Sequence, residues 1–446
     1  MASSRDVLNA QRFNRQRLVT AFTSGTPGGR ELEPRSVTPS LVVGAVFGIV
    51  AIIVAIVLGR MSPTLPDGWD NGALIVDKTS GARYFSQSGT LHPVTSVTVA
   101  RLLADPASFK VVFVGSDAIL GKPRGAEIDL SAAPDDVPSP DSLRSNEWTA
   151  CATGEDKTSL WIAGPPPSPL EPAETVLVTS DGKEYLIADR KRHEITNAQT
   201  NVIAALKLDQ TPSRPVDPRW LDLFSRGSNL WFDVPANAPL DQDVRSSLPA
   251  SLRTASVGSV ITIAETDRKY LVISAKGQVE PLDEVGFALW KVAASTGPLP
   301  ATTSDLDALD IVGREVAPSD WPTSIKPPLK DGYFPCATLQ TENEGLVPAL
   351  AGIEDPSSDT TPLDWPQVDV KGGSGALVRV SLNNIGSVRL VTDTNMSYSL
   401  GQDSTDSLNR LGYGGTKPLS IPGEWLAFLR DGGVELTHDA AVGQPR

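Results

Sequence analysis

The chain has 446 residues, 40% apolar and 21% charged, with 39 Lys and Arg against 53 Asp and Glu. A composition like this folds, and its acidic excess argues against a nucleic-acid partner. The 37 Pro and 37 Gly favour turns and short elements, hence strands over long helices.

In chain order, the first feature is a basic arm. Residues 1 to 38 carry Arg5, Arg12, Arg15, Arg17, Arg30 and Arg35 against Asp6, Glu31 and Glu33. Ser3 and Asp6 are spaced as a capping pair, and Val7, Leu18 and Phe22 fall on one side of a helix into which Arg15 also projects. Such a helix either docks on a cytoplasmic partner or lipid headgroups, or acts as a solvated topology signal. Gly25 to Pro39 reads as a flexible linker.

Leu41 to Leu58 is eighteen residues without a charge. As a helix it covers about 27 Å, enough for one membrane span across residues 41–59. A cleaved signal would be shorter and nearer the N-terminus, and a buried globular helix would carry a polar face. Gly44 and Gly48 form a small-xxx-small spacing suited to helix contact in lipid, or are ordinary span composition. The basic arm, residues 1–40, then stays in the cytoplasm and residues 60–446 are exported, with 33 Lys and Arg against 50 Asp and Glu. The expected location is the cytoplasmic (inner) membrane, with a large periplasmic or extracellular C-terminal domain.

An exported domain with two cysteines, Cys151 and Cys336, points to one disulfide; the alternative is two buried thiols. The same domain contains a repeat. Apolar strands at Leu74–Val76, Val176–Val178, Val260–Ile263 and Leu390–Val391 are each followed by a polar turn and a tyrosine: Tyr84, Tyr185, Tyr270 and Tyr398. Each unit is expected to be a hairpin. Helical patterns follow at Val97–Leu103, Val202–Leu208 and Leu282–Val292, while Ser404–Leu411 is shorter and more polar, so the fourth tyrosine match is weaker. The units therefore span about 73–104, 175–208, 259–292 and 388–412. A hairpin with one helix makes no core alone, so the units need a central sheet or small barrel. Strands are expected at Val111–Val114, Leu160–Ala163, Leu230–Val234, Leu377–Leu382 and Trp425–Leu429. The expected fold is a single-pass membrane protein with an α+β exported domain, its hairpin-plus-helix repeats set around that sheet or barrel.

These features resemble the EccB component of type VII (ESX) secretion systems of actinobacteria. The resemblance rests on Arg12, Arg15 and Arg17 ahead of a single span, on two distant exported cysteines, on the tyrosine-marked repeats, and on Arg124-Gly125-Ala126-Glu127-Ile128-Asp129-Leu130 with Ala132 to Asp135 and Pro138. That last segment is similar to a Gly-Ile-Pro-Gly-Ala-Pro stretch of the family, from which Asp129 and Ser131 to Ala133 depart. The resemblance implies a subunit of a membrane-embedded secretion core, a Cys151–Cys336 disulfide, and assembly with the EccC ATPase, EccD, EccE and a mycosin protease, in a homo-oligomer within a large complex.

No catalytic, cofactor or metal site is expected. Gly115 to Pro123 is the nearest approach to a phosphate loop, with five residues between its glycines and Pro123 where a magnesium-binding hydroxyl belongs; it reads as a β-turn. Gly372-Gly373-Ser374-Gly375 misses the nucleophile-elbow spacing by one position. His92, His193 and His438 are scattered, and His193, after Arg190 to Arg192, reads as a solvated hairpin tip. Asp305, Asp307 and Asp310 lack the glycine and terminal Glu of a calcium loop. The tyrosines read as core packing with hydroxyls at the rim, or as sugar-stacking rings. The function expected is thus structural, the alternatives being a stand-alone cell-wall-binding protein or an exported hydrolase.

Overall fold

The computed structural model describes residues 4–24, 38–60, 65–154, 156–343, 345–355, 367–382 and 385–443. It divides into two compact units, Met1–Thr64 and Leu65–Arg446. Ser3 and most of the expected linker, residues 25–37, lie outside the described residues.

The first unit holds two helices, α1 (Ser4–Ser24) and α2 (Thr38–Arg60). Val7, Leu8, Phe13, Leu18, Val19 and Phe22 of α1 are all exposed. Along α2 the side chains of residues 42–54 are described and exposed. Within the described residues alone no helix is long and apolar enough to cross a membrane. The uncharged run in the sequence extends beyond that window at both ends, to Leu41 and Leu58.

The second unit is α+β, and its repeat is larger than a hairpin plus a helix. Repeat 1 has strands Ala73–Asp77, Arg83–Gln87 and Thr90–Pro93, the helix Val97–Leu103, and a fourth strand Lys110–Val114. Parallel bridges from Leu91 to Arg124 and from Val94 to Ile128 add a fifth extended segment. Repeat 2 follows the same course through Thr175–Ser180, Lys183–Ala188, Lys191–Ile195, helix Gln199–Ala205, Arg214–Pro215 and Ser225–Arg226. Repeat 3 uses Val260–Ile263, Lys269–Val272, Gln278–Leu282, helix Glu284–Ala293, Leu299–Ala301 and Asp310–Ile311. Repeat 4 uses Ala376–Leu382, Ile385–Thr392, Met396–Ser399, helix Ser404–Arg410, Leu419–Pro422 and Arg430–Glu435. In space the strands run fourth, first, second, third, fifth; the inner pairs are antiparallel and both outer pairs parallel.

Register places the repeats in strict correspondence. Tyr84, Tyr185 and Tyr270 lie on second strands opposite Ile75, Val178 and Ile261. In repeat 4 that position is Arg389, opposite Val378, and Tyr398 lies one strand later, opposite Leu390. The fourth tyrosine match was therefore out of step by a strand, and the repeat begins at Ala376 instead of 388. The polar pattern of Ser404–Leu411 is a helix nonetheless, capped by the Asp403 carboxylate accepting from Thr405 N.

Two expected strands are something else. Leu230–Val234 forms no named strand; Leu230 and Phe232 are buried by alternation, but Pro235 ends the run. Trp425 to Phe428 belongs to a 3-10 helix, Gly423–Phe428, which Pro422 and Gly423 start; Trp425 itself is buried.

The helix-covered faces pair the repeats. Leu74, Phe85, Val99 and Leu102 of repeat 1 share a core with Leu390, Tyr398, Leu411 and Tyr413 of repeat 4. Leu177, Leu186 and Val202 of repeat 2 share another with Leu271, Val285 and Leu289 of repeat 3. Between the pairs stand the central strands Trp148–Gly154, Lys157–Ile162, Tyr333–Glu342, Gly345–Glu354 and Val368–Val370, with Leu170–Pro172 beside them, in one sheet with the strands of repeat 4 through Gly345 and Ser420. The other faces of repeats 2 and 4 pack on these strands around Trp148, Trp220 and Trp425. A repeat at either end needs a cap over its remaining face. Leu65 and Trp69 pack there in repeat 1, and Leu240, Leu248 and Leu252 in repeat 3.

Candidate functional site

The sheet core is tied by a disulfide. Cys151 and Cys336 stand opposite each other on Trp148–Gly154 and Tyr333–Glu342, and their sulfurs are bonded. They are fully buried with Trp161 and Ile353, so the bond joins the central strands and makes no surface. Its loop encloses the whole of repeats 2 and 3.

The third strand of each repeat carries one side chain turned onto the fifth. His92 packs against Gly125, and a Cβ added to that glycine would come within 2.2 Å of the ring. His193 packs likewise on Gly227, at 2.3 Å, and Tyr398 on Gly432, at 2.2 Å. In repeat 3 the position is Glu280, facing Val312, whose N–H bonds to the carbonyl of Val279. The imidazoles donate from Nδ1 to carbonyls, His92 to Ala126 at 3.0 Å and His193 to Ser228 at 2.8 Å. Glu280 instead accepts from the N–H groups of Glu315, Val316 and Ala317 at 2.7, 2.8 and 2.8 Å. The two histidines pin the last segment of their repeats, Tyr398 packs on it, and Glu280 holds the chain just beyond it.

His193 is therefore not a solvated hairpin tip: it is 0% exposed. Burial pushes its pKa below the usual histidine value, because the charged ring would leave water while Nε2 has no partner. His438 is a third pin, joining repeat 4 to repeat 1 through Nδ1 and the carbonyl of Leu102 at 2.9 Å. The histidines serve three separate places and do not converge.

Beside these pins the structure opens two clefts at equivalent positions. One, of about 440 Å³, is lined by Ala82, Arg83, Tyr84, Pro93, Val94 and Arg124. The Arg124 guanidinium lies 4.1 Å from the centre of the Tyr84 ring. The other, of about 340 Å³, runs over Tyr185 between Lys183, Glu194, Asp222 and Arg226. Lys183 meets Glu194 at 3.1 Å, which raises the lysine pKa. In repeat 3 the equivalent Tyr270 is buried in a cluster with Leu240, Leu248 and Leu252. In repeat 4, Arg389 bonds to Asp431 at 2.9 Å, and this contact together with the Gly433 N–H lowers the Asp431 pKa. The four tyrosines thus differ: Tyr270 and Tyr398 are buried, Tyr84 and Tyr185 half-buried at cleft rims.

Neither cleft sets a nucleophile against a base. Ser180 is bonded to the Val216 carbonyl at 3.1 Å. Ser374 sits in a turn where Gly373 N donates to Asp393 at 2.8 Å and Ser374 N to the Lys371 carbonyl at 2.9 Å. Gly115 precedes a four-residue helix, Ser116–Ile119, whose Ser116 hydroxyl donates to Asp77, while Lys122 Nζ lies 4.7 Å over the Trp69 ring. Ser80, the Thr79 N–H and Ser116 together lower the Asp77 carboxyl to about 2. The expected β-turn is thus a short helix, Ser116–Ile119, followed by a turn, with Lys122 lying over an indole. Asp305 closes a capping box with Thr302, and Asp310 faces Gln278. A Cβ on Gly44 or Gly48 would meet nothing within 4 Å.

One sequence signal for the pins was legible and missed. His92 precedes Gly125 by 33 residues, and His193 precedes Gly227 by 34, each glycine following an arginine; Tyr398 precedes Gly432 by 34, after an aspartate.

A family model described as type VII secretion system ESX-1, transport TM domain B, matches residues 1–445. The ESX-3 secretion system ATPase EccB3 of Mycolicibacterium smegmatis is 24% identical over 92% of this chain and 86% of its own length. The ESX-1 secretion system ATPase EccB1 of the same species is 26% identical over 89% and 87%. A chain of an intact ESX-5 inner membrane complex superposes with a TM-score of 0.64 at 20% identity, covering 99% of this chain and 95% of that one. The EccB3 dimer from the ESX-3 core complex gives a TM-score of 0.64 at 21% identity over 83% and 99%.

Proposed function

Because the chain belongs to the EccB family of type VII (ESX) secretion proteins, we propose that it is a non-enzymatic structural subunit of an ESX inner-membrane complex, supporting protein export. The observation that carries this reading is that the family match runs unbroken through the basic arm, the apolar run and the repeat-built body. Among the described residues His92, His193, His438 and Glu280 hold strands and their neighbouring segments together, which supports a scaffold. Residues 41–59 cross the membrane once, with the arm in the cytoplasm, as the six arginines of the short side favour. The exported body pairs with a second copy, and the complex includes the EccC ATPase, EccD, EccE and a mycosin protease.

The relatives' names carry the word ATPase, which makes nucleotide hydrolysis the second reading. Gly115 to Lys122 offers it nothing, since a phosphate cradle needs successive free amides and a free lysine. Two measurements test the proposal. A reporter enzyme fused after Arg446 should be active only outside the cytoplasm, and the purified full chain should show no ATP turnover. Cytosolic reporter activity sinks the topology; turnover lost on Lys122→Ala sinks the non-enzymatic reading.

A further inference from the structure

The fourth strand is the outermost strand on one side of each repeat's own five, and the register fixes which residue of that strand looks away from the repeat. The outward positions are Phe113, Pro215, Pro300 and Ser420, opposite Val76, Thr179, Thr262 and Arg379. Three of the four edges are dealt with. Proline removes the outward N–H in repeats 2 and 3, a usual way to blunt an edge. In repeat 4 the edge is occupied, Ser420 pairing in parallel with Gly345 of the central sheet. Repeat 1 has neither device. Lys110–Val114 ends its sheet, and among the described residues no strand pairs with its outer side. Val111 is 40% exposed there and Phe113 60%.

The free edge is self-complementary. The Val114 carbonyl accepts from Lys78 N at 2.8 Å, so Val112 and Val114 face inward and Val111 and Phe113 present their N–H and carbonyl groups outward. A second Lys110–Val114 laid antiparallel about a two-fold axis through Val112 would place Val111 opposite Phe113, twice. Both apolar pairs would then cover each other on one face. Lys110 would stand opposite Val114, so no like charges meet, and its Nζ already bonds to the Asp67 carbonyl at 2.9 Å.

We propose that Lys110–Val114 is the edge through which two copies of this chain join, in an antiparallel pair centred on Val112 that makes one continuous sheet from two repeat-1 sheets. This rests on the reading that the body pairs with a second copy, and assigns the surface. The position copied from repeats 2 and 3 supplies the perturbation: Phe113→Pro removes the outward N–H and the ring at a site where the fold carries proline twice.

The test uses the full chain in mild detergent. Its only two cysteines are already bonded to each other, so Val112→Cys supplies the sole free thiol. In the proposed pair the two Val112 residues form a close, non-hydrogen-bonded pair with Cα atoms about 4.5 Å apart, whereas Lys110 and its copy are about 13 Å apart along the strands. Oxidation should cross-link Val112→Cys and not Lys110→Cys, and Phe113→Pro should weaken dimerisation at least tenfold with unchanged circular dichroism. A dimeric mass without Val112→Cys cross-linking, cross-linking equal in both cysteine variants, or a Phe113→Pro dimer as tight as the parent overturns this edge while leaving the paired reading in place. A chain monomeric in every preparation overturns both.

Discussion

Gly227→Ala tests the repeat register most sharply. The new Cβ would lie 2.3, 2.6 and 3.0 Å from Cε1, Nδ1 and Nε2 of His193. The ring has nowhere to go, since it is fully buried and held to the Ser228 carbonyl at 2.8 Å. Overpacking of this kind costs about 2 to 3 kcal/mol, at the upper end because the neighbour is rigid. At roughly 2.1 cal/mol/K of unfolding entropy per residue, a body of this size should lose about 3 °C of Tm. Scanning fluorimetry of the detergent-solubilised chain reads that shift directly. The decisive comparison is the His193→Ala background, where the Cβ meets empty space and Gly227→Ala should cost little, giving a coupling energy of about 2 kcal/mol. Gly313→Ala, where an added Cβ meets nothing within 4 Å, is the control and should be silent. Additive costs in the double variant, or a Gly227→Ala chain as stable as the parent, would refute the pin.

Replacing both Cys151 and Cys336 by Ala should lower stability by up to about 5 kcal/mol, as their separation of 185 residues closes a long loop; denaturant unfolding with and without reductant measures it. Glu280→Ala orphans the N–H groups of Glu315, Val316 and Ala317 and should cost about 3 kcal/mol, seen as faster hydrogen exchange confined to the end of repeat 3. His193 is a base whose folded pKa lies below its ordinary value of 6.5, so the unfolded chain binds the extra proton. Its contribution is therefore present above pH 6.5 and lost as pH falls below it, and His193→Phe should flatten that part of the stability profile.

What was legible in the sequence was what local pattern controls. Uncharged length marks α2, the apolar run from Leu160 to Ala163 and the apolar pattern of Leu377–Leu382 mark strands, and helix periodicity marks Val97–Leu103. What was hidden depends on partners distant in the chain. Fifth strands such as Ser225–Arg226 and Asp310–Ile311 are two residues long and exist only because a third strand lies beside them. The tyrosine marks the first three repeats, yet repeat 4 keeps Leu377 and Leu390 in register while exchanging that tyrosine for Arg389. Core positions held the pattern and the cleft positions changed. His193 misled for a related reason: the charge of Arg190, Lys191 and Arg192 describes the turn and the start of the strand, whereas the glycine that buries the ring comes 34 positions later.

The scaffold reading is tested most directly by the native mass of the chain after mild extraction from its own membrane. The account predicts a large assembly that holds more than one copy of this chain together with a separate motor ATPase. A chain recovered alone as a small species, and able to hydrolyse ATP in that form, would contradict it.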